Sequence, residues 1–442
     1  MSVHLRRNFV VLLSGNGLSS IFGFFTLAFN ARALGPELLG VLALLQSFVV
    51  VVSSIFSFDT WQPVIKFGAE AQASKDDEKL RDIVVLGFLY DLVGAFAATA
   101  VGVAIVLFGL PFLGITSEYQ YFAAIFSASI IFVSYSTAKG VLRLFGRFDL
   151  LTAIQTGISA AGLAVAVLLW HFQATFIAYV ISYASLIVVQ SFLIFTVVIV
   201  LWYSGDLPSL AAPRFDDQAL SKAFMWFSWS TSGLSTLNVL RQHADSFVLA
   251  TMLGPAATGI YKVASQIASL VSRIGDPLQQ VVFPEIATLV AKSEHARLRK
   301  ILVSAIILGI VSLSFVVSGA AVFGEIAIQI VGGTGYAAAT IPLLWLVLSN
   351  GLAVTGFYLR PTVVTLISPE AYLYYSFIAS LIFVAALYLS IDGFGIAGAG
   401  LAQVVFTIVW YFLNFSAISR RLHFKRQDFA RALDDIINRL RR

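Results

Sequence analysis

The sequence is poor in the residues that most enzymes use for chemistry. Its 442 residues include no cysteine, five histidines and three methionines, and only 12% of them are charged. Without cysteine there is no disulfide framework, iron–sulfur cluster or thiol nucleophile. The sequence also lacks H-E-x-x-H, other histidine and acid clusters at metal-ligand spacing, and the G-x-x-x-x-G-K-[ST] loop that binds nucleotide phosphates. These absences argue against metal, thiol and P-loop enzymes, and no cofactor is implied.

Apolar residues are abundant instead. They make up 59% of the chain and the mean hydropathy is +0.90, whereas soluble domains are about half apolar and about a quarter charged. Because a helix needs about 20 apolar residues to cross a bilayer, we expect an all-α polytopic membrane protein. The pattern predicts twelve transmembrane helices, near 8–33, 37–58, 83–108, 119–139, 149–170, 175–202, 220–252, 257–275, 301–323, 337–359, 370–390 and 395–418.

The distribution of positive charge predicts the orientation. With a cytoplasmic N-terminus, 25 of the 28 Lys and Arg residues fall on the cytoplasmic side, and the opposite loops near 109–118, 171–174, 324–336 and 391–394 hold none. Cytoplasmic loops carry the excess of Lys and Arg in membrane proteins, so both termini are predicted to be cytoplasmic. No predicted outward-facing segment exceeds roughly fifteen residues, too few for the catalytic layer of a glycosyltransferase, polymerase or ligase.

The sequence repeats itself once. L-G-P-E-L-L-G at 34–40 returns as L-G-P-A-A-T-G at 253–259, an offset of 219, and 73–83 resembles 291–301 at an offset of 218. An even number of helices per repeat gives both halves the same orientation, related by an axis along the membrane normal. We therefore expect two pseudo-symmetric six-helix bundles, 1–206 and 219–419, joined by a cytoplasmic linker at 207–218 and followed by an amphipathic cytoplasmic tail at 420–442.

Polar residues recur at helical spacing in the first span and in its repeat mate, the seventh. The seventh presents Ser228, Thr231, Ser235, Asn238, Gln242 and Asp245 on one face, and the first presents Asn16, Ser19, Gly23, Thr26 and Asn30. Such faces are unfavourable towards lipid. We expect them to line a water-filled cleft between the repeats, and the alternative is that they are small-polar contacts between helices.

Ionisable groups within spans are costly, by about 2.5–3.5 kcal/mol each on insertion scales, and often functional. We predict substrate-binding roles for the cationic and amide side chains of Arg241, Lys262, Lys139, Arg143, Arg360 and Asn238. Buried carboxylates can couple transport to a cation gradient, so ion-coupling roles are predicted for Asp91, Asp245, Asp59 and His243. The alternatives are topology anchoring for Arg143 and Arg360, an ion pair between Arg241 and Asp245, and a purely structural histidine.

Three segments together resemble a known family. They are A-R-A-L-G-P-E-L-L-G at 31–40, G-R-F-D-L-L at 146–151 and D-S-F-V-L-A-T-M-L-G-P-A-A-T-G-I-Y at 245–261. Their order and spacing are similar to those of the polysaccharide-synthesis and O-antigen-unit flippases of the multidrug/oligosaccharidyl-lipid/polysaccharide (MOP) exporter superfamily, over essentially the whole chain. The twelve predicted spans fit this branch better than the fourteen-span lipid II branch.

The resemblance implies a MATE-like transporter of two bundles in the bacterial inner membrane. Such a protein moves undecaprenyl-pyrophosphate-linked oligosaccharide from the cytoplasmic to the periplasmic leaflet by alternating access. The expected partners are that lipid-linked sugar, H⁺ or Na⁺ as coupling ion, membrane lipids and, as a further expectation, a glycan polymerase machinery; nucleic acid is not expected. The alternatives are a cation-coupled multidrug exporter of the same superfamily and a scaffold subunit of a glycan-assembly complex.

Overall fold

The computed structural model describes residues 3–109, 114, 116–204, 218–273 and 275–424. All regular elements in these ranges are helical, as the long apolar runs predict. They form two compact units, Met1–Thr251 and Met252–Arg442. The first unit holds α1 Val3–Phe56, α2 Trp61–Ser74, α3 Asp77–Phe108, α4 Gln120–Ser129, α5 Ser136–Leu144, α6 Phe148–His171, α7 Phe176–Tyr203 and nearly all of α8 Gln218–Leu253. The second holds α9 Pro255–Ser272, α10 Gly275–Ala291, α11 His295–Gly332, α12 Thr340–Thr355, α13 Leu359–Leu366, α14 Pro369–Phe394 and α15 Ile396–Leu422.

The predicted spans coincide with these helices. Within the described ranges, nine segments are long and apolar enough to cross a membrane. One of them, Gly15–Phe56, contains two predicted spans separated by a kink at Gly35. The remaining two predicted spans are α8 and α9, which are helical but are not among the nine. The all-α membrane fold is therefore confirmed.

Two apolar cores hold the first unit together. The C-terminal half of α1 packs with α3, α4 and α7 around Leu42, Phe48 and Phe126. A separate core joins α2, α3, α5, α7 and α8 through residues that include Ile83 and Phe224. Because the short helices α2 and α5 belong to this second core, their side chains are held in fixed positions beside α3.

The second unit is built around packed helix pairs of its own. One core joins α10, α11, α13 and α15 and includes Leu302, Tyr358 and Ile418. The turn between α14 and α15 is compact because Gly398 lies directly against the carbonyl of Ser390. The glycine at this position therefore allows the close approach of α14 and α15.

The internal repeat is visible in the backbone of each unit. Gly35 (φ 69°, ψ 176°) and Gly254 (φ 87°, ψ 171°) adopt the same left-handed conformation, and each precedes a proline that opens a helix. At the second repeated segment, Lys75 and Ser293 also share positive φ, 56° and 57°. The turns at both pairs are thus repeated in conformation as well as in sequence.

The repeat boundary and the boundary between the compact units differ. The units divide after Thr251, in the last turn of α8, whereas the sequence repeat begins anew at 219. Helix α8 contacts the C-terminal half of α1 within the first unit, since Thr236 Oγ1 donates to the Ser54 carbonyl at 2.7 Å and His243 Nδ1 lies 2.9 Å from Ser47 Oγ. The boundaries 1–206, 207–218 and 219–419 stay a prediction about ancestry, and the part of the predicted tail beyond 424 lies outside the described residues.

We predict that Gly35→Ala destabilises the first unit. A backbone near φ 69°, ψ 176° is essentially restricted to glycine, and holding another residue there costs about 1–3 kcal/mol. The matched control is Gly17→Ala in the same helix, where a Cβ would meet no atom within 4 Å. The thermal unfolding midpoint of the purified protein should fall for Gly35→Ala only; equal midpoints for the two variants would contradict the strained-turn interpretation.

Candidate functional site

The centre of the candidate site is a buried carboxylate on α3. Asp91 is 6% exposed, and its two oxygens accept hydrogen bonds from Thr60 Oγ1 at 2.6 Å and from the Thr137 backbone N–H at 2.7 Å. Thr137 Oγ1 in turn donates to Thr60 Oγ1 at 2.9 Å. This carboxylate therefore joins α3 to the start of α2 and to α5.

Two glycines allow these three helices to come so close. Gly87 lies one turn before Asp91 on α3, and a Cβ there would lie 2.7 Å from Thr137 Oγ1. On α5, a Cβ on Gly140 would lie 2.8 Å from the Cα of Trp61. Both distances are shorter than real Cβ contacts, so the hydrogen-bonded group depends on small residues at both positions.

Cations beside this group lie over aromatic rings. Lys139 Nζ is 4.5 Å from the ring centre of Tyr135, and the Arg143 guanidinium carbon is 4.5 Å from that of Trp61. Gln190 Nε2 donates to the Tyr135 hydroxyl at 3.0 Å and fixes that ring. A cation over an aromatic face is attracted by the ring quadrupole while its charge stays uncompensated.

A third cation lies on α2. Lys66 Nζ is 5.1 Å from the ring centre of Phe67 and 4.5 Å from that of Phe227 on α8. Lys139 and Arg143 of α5, which interact electrostatically, are called the basic cluster below. Among the described residues, neither they nor Lys66 form an ion pair within 4.0 Å of a carboxylate.

Carboxylates lie near the basic cluster without neutralising it by contact. Lys139 interacts electrostatically with Asp91, Asp59 and Arg143. Asp59 is half-buried, has a positive φ of 43°, and accepts a short hydrogen bond from Ser235 Oγ of α8. This contact connects the polar face of α8 to the basic cluster inside the first unit.

The polar face of α8 is thus divided between packed and exposed positions. Ser228 and Asp245 are buried, Ser235 contacts Asp59, and Asn238 and Gln242 are exposed. Asp245 accepts a hydrogen bond from the Ser246 backbone N–H at 2.7 Å. Part of the face therefore serves helix packing, and a cleft lined by the rest stays a prediction.

The other predicted cationic residues differ in their exposure. Arg241 and Lys262 are half-buried, and each has interactions of its own within the structure. Arg360 is exposed, 5.7 Å from the ring centre of Tyr372. Arg143 lies in the last turn of α5 and Arg360 in the first turn of α13.

Sequence reasoning did not find the neutral residues of the site. Thr60, Trp61, Tyr135 and Thr137 have ordinary side chains for a membrane helix, and only the fold brings them to Asp91 and the cations. The signal available in the sequence was the unpartnered Asp91 in an apolar span, which requires partners from other helices. In the described part of the chain, no group of three or more His, Asp or Glu side chains is arranged to hold a metal ion.

We predict that Asp91→Ala destabilises the first unit. The substitution removes the acceptor of the Thr60 hydroxyl and the Thr137 backbone N–H, and a buried donor left unsatisfied costs about 1–3 kcal/mol. Asp91→Asn retains one acceptor oxygen and should lose less. The control is Asp392→Ala, at an exposed carboxylate near the end of α14. The thermal unfolding midpoint should be lowest for Asp91→Ala, intermediate for Asp91→Asn and unchanged for Asp392→Ala. An unchanged midpoint for Asp91→Ala would contradict this role of the carboxylate.

Comparison with known proteins places the chain among membrane proteins. Residues 5–290 match the family described as "Polysaccharide biosynthesis protein". The inner membrane protein YghQ of Escherichia coli (strain K12) is similar, with 26% identity over 293 residues that cover 64% of this chain and 80% of that protein.

Solved structures share the fold at low sequence identity. A multidrug resistance MATE family transporter of the MOP superfamily, in an inward-facing conformation, matches with a TM-score of 0.72 and 14% identity over 92% of this chain and 94% of that one. The lipid II flippase MurJ, in an inward closed conformation, matches with a TM-score of 0.69 and 13% identity over 97% of this chain and 91% of that one. The MATE-like fold inferred from the sequence is confirmed.

Proposed function

Since the chain belongs to the polysaccharide biosynthesis protein family, we propose that it is a flippase for a polyprenyl-pyrophosphate-linked oligosaccharide. It would carry an O-antigen or exopolysaccharide repeat unit from the cytoplasmic to the periplasmic leaflet. The reaction makes and breaks no covalent bond, so the protein has to bind an anionic headgroup, move it across the bilayer and release it. The expected position of the protein is the bacterial inner membrane, with both termini in the cytoplasm.

The basic cluster is the observation that carries this proposal. Lys139 and Arg143 are one helical turn apart and lie over Tyr135 and Trp61, and no carboxylate among the described residues is in ion-pair contact with either. A diphosphate offers two adjacent anionic groups, and an Arg fork donates parallel hydrogen bonds to such oxygens. Since α5 lies at the predicted cytoplasmic end of its span, the cluster would lie where the substrate enters.

Asp59 is the best candidate for coupling to an ion gradient. It interacts with Lys139 and accepts the Ser235 hydroxyl of α8, so protonation or Na⁺ binding would change the charge beside the basic cluster and weaken its link to α8. Asp91 has both oxygens occupied by hydrogen bonds, and we assign it the role of holding α2, α3 and α5 together. Roles for Arg241, Lys262, Arg360, Asn238, Asp245 and His243 in binding or coupling remain part of the proposal.

Asp59→Asn is predicted to separate transport from its driving ion. The amide keeps an oxygen for Ser235 but carries no charge. The ion gradient should therefore drive translocation of the lipid-linked oligosaccharide about tenfold or more less effectively, whereas exchange of this lipid between the leaflets without a gradient should persist. Translocation of the lipid-linked oligosaccharide between the leaflets of reconstituted vesicles, with and without an imposed pH or Na⁺ gradient, measures both quantities. Asp392→Asn is the control. If the Asn variant still responds fully to the gradient, Asp59 is not the coupling group.

A deletion strain tests the function against its alternatives. Lipid-linked oligosaccharide should accumulate on the cytoplasmic leaflet, and the wild-type gene and an Arg421→Gln variant should both relieve the accumulation. Arg421 is an exposed residue in the last turn of α15. Normal surface glycan together with altered sensitivity to cationic dyes would contradict the proposal and support the multidrug exporter. A wild-type protein that restores surface glycan in cells but does not translocate the lipid-linked oligosaccharide in reconstituted vesicles would support the scaffold subunit.

A further inference from the structure

Gln190 is the only amide or charged side chain of α7. This helix, Phe176–Tyr203, is among the most apolar of the candidate spans and contains a stretch with a mean hydropathy of 2.6. Gln190 is half-buried near the middle of the helix. A primary amide at such a position is unfavourable towards lipid, so it requires a hydrogen-bond partner from another part of the protein.

The partner of Gln190 is Tyr135, which directly precedes α5. Gln190 Nε2 donates to the Tyr135 hydroxyl at 3.0 Å. The Tyr135 side chain packs against the apolar core that includes Ile194 and Val198 of α7. The ring is therefore held by apolar contacts and, at its hydroxyl, by a directed hydrogen bond from α7.

The same ring lies beside the cation of Lys139. Lys139 Nζ is 4.5 Å from the ring centre of Tyr135, and the Lys139 N–H donates to the Tyr135 carbonyl at 3.1 Å. A lysine side chain has a flexible four-carbon stem, and in the described part of the chain no carboxylate holds Lys139 in an ion pair. Attraction to the ring is therefore the contact that selects a position for the ammonium near Arg143, with which it interacts electrostatically.

Helix packing alone does not require the amide. Val141 and Leu142 of α5 are buried in the same core as Ile194 and Val198 of α7, so apolar contacts join the two helices without Gln190. A hydrogen bond between membrane helices adds only modestly to such packing. The acceptor of this bond belongs to the ring beside Lys139, which points to a role in the site and not in the fold alone.

We infer that Gln190 is a positioning residue of the substrate site. Its amide holds the Tyr135 ring, and the ring holds the Lys139 ammonium where it and Arg143 together bind the two phosphate groups of a diphosphate. The inference rests on the proposed function and adds to it a residue that does not itself touch the substrate. Loss of the amide frees the ring, so Lys139 loses more entropy on binding and the affinity for the diphosphate falls. The maximal rate of movement across the bilayer does not depend on this contact.

Binding of farnesyl diphosphate to the purified full-length protein in neutral-lipid nanodiscs tests the inference. The two halves of the hydrogen bond are removed separately by Gln190→Met, which keeps the length of the side chain, and by Tyr135→Phe, which keeps the ring. Calorimetry should show binding weaker by about three- to tenfold in each variant and no weaker in the double variant, because both substitutions break the same interaction. Initial rates of translocation should show a raised KM and a maximal rate within about twofold of the wild type.

Gln120→Met is the matched control. Gln120 is also half-buried and donates through Nε2 to another helix, at 3.1 Å from the Val106 carbonyl of α3, but this acceptor is not part of the site. Thermal unfolding of Gln120→Met and Gln190→Met reports what each loses in helix packing. Only Gln190→Met should also weaken the binding of farnesyl diphosphate.

Three results overturn the inference. Unchanged binding of farnesyl diphosphate in Gln190→Met would make the amide purely structural, and losses that multiply in the double variant would mean that the amide does not act through the ring. A reduced maximal rate with an unchanged KM would assign Gln190 to the movement instead. Failure of the proposed site itself gives a different result, since the wild type and Lys139→Gln/Arg143→Gln would then bind the diphosphate equally or not at all; binding lost in that double variant but kept in Gln190→Met contradicts the inference alone.

Discussion

Replacement of both Lys139 and Arg143 by glutamine is expected to reduce translocation of the lipid-linked oligosaccharide by about a hundredfold or more. Each cation would form charge-assisted hydrogen bonds to the diphosphate worth about 1.5–3 kcal/mol. Loss of two such interactions amounts to about 3–6 kcal/mol, and each 1.4 kcal/mol corresponds to a factor of about ten. The initial rate of translocation, compared at equal protein levels, is the measurement.

Matched variants separate this effect from loss of fold. Arg421→Gln removes a cation from an exposed position and should leave the rate unchanged. Lys139→Arg retains the charge over Tyr135 and should keep much of the activity. A Lys139→Gln/Arg143→Gln protein that is folded and translocates at the wild-type rate would show that the basic cluster only sets topology, which is the alternative that the sequence leaves open for Arg143.

Replacement of Gly398 is expected to have the largest effect on stability. A Cβ at this position would collide with the carbonyl of Ser390 and would lie 2.6 Å from the backbone nitrogen of Ile391. Backbone atoms cannot rotate away as a side chain can. Gly398→Ala should therefore lower the free energy of unfolding by about 3 kcal/mol, the upper end of the range typical of overpacking, or by more. Gly398→Val should prevent α14 and α15 from packing. Size-exclusion chromatography and thermal unfolding of the purified protein measure the loss.

The same turn provides its own control. At Gly393, five residues earlier, a Cβ would meet no atom within 4 Å, and alanine is a better helix former than glycine by about 0.8–1.0 kcal/mol. Gly393→Ala should therefore be neutral or slightly stabilising. Similar losses at both positions would mean that the turn requires glycine flexibility and not close approach.

The fold was predictable from the sequence because its determinants are local. Long apolar runs require helices in a bilayer, where every backbone polar group must be satisfied internally, and the repeated L-G-P segments give Gly35 and Gly254 the same backbone conformation. Close packing of α3 also depends on a small residue, since Gly94 lies against the carbonyl of Phe56. The family resemblance carried by these short motifs is also confirmed.

The site was predictable only in part because it depends on long-range contacts. Asp91, Lys139 and Arg143 stood out as charges in or beside apolar spans. The hydrogen-bond partners of Asp91 are 31 and 46 positions away along the chain, and the two cations lie over aromatic side chains of a kind that is common in any membrane protein. Periodicity places the polar residues of α8 on one face, but it does not tell which positions contact a neighbouring helix, such as Ser235 at Asp59.

Translocation by the purified protein is the most direct test of the central claim. The protein is reconstituted in vesicles with a polyprenyl-pyrophosphate-linked oligosaccharide, and a membrane-impermeant glycosidase added outside reports the fraction of sugar that has reached the outer leaflet. The account predicts that the protected fraction falls with time in vesicles that contain the wild-type protein, and stays as in protein-free vesicles for Lys139→Gln/Arg143→Gln. A wild-type protein that leaves the protected fraction unchanged while it transports an organic cation would contradict the account.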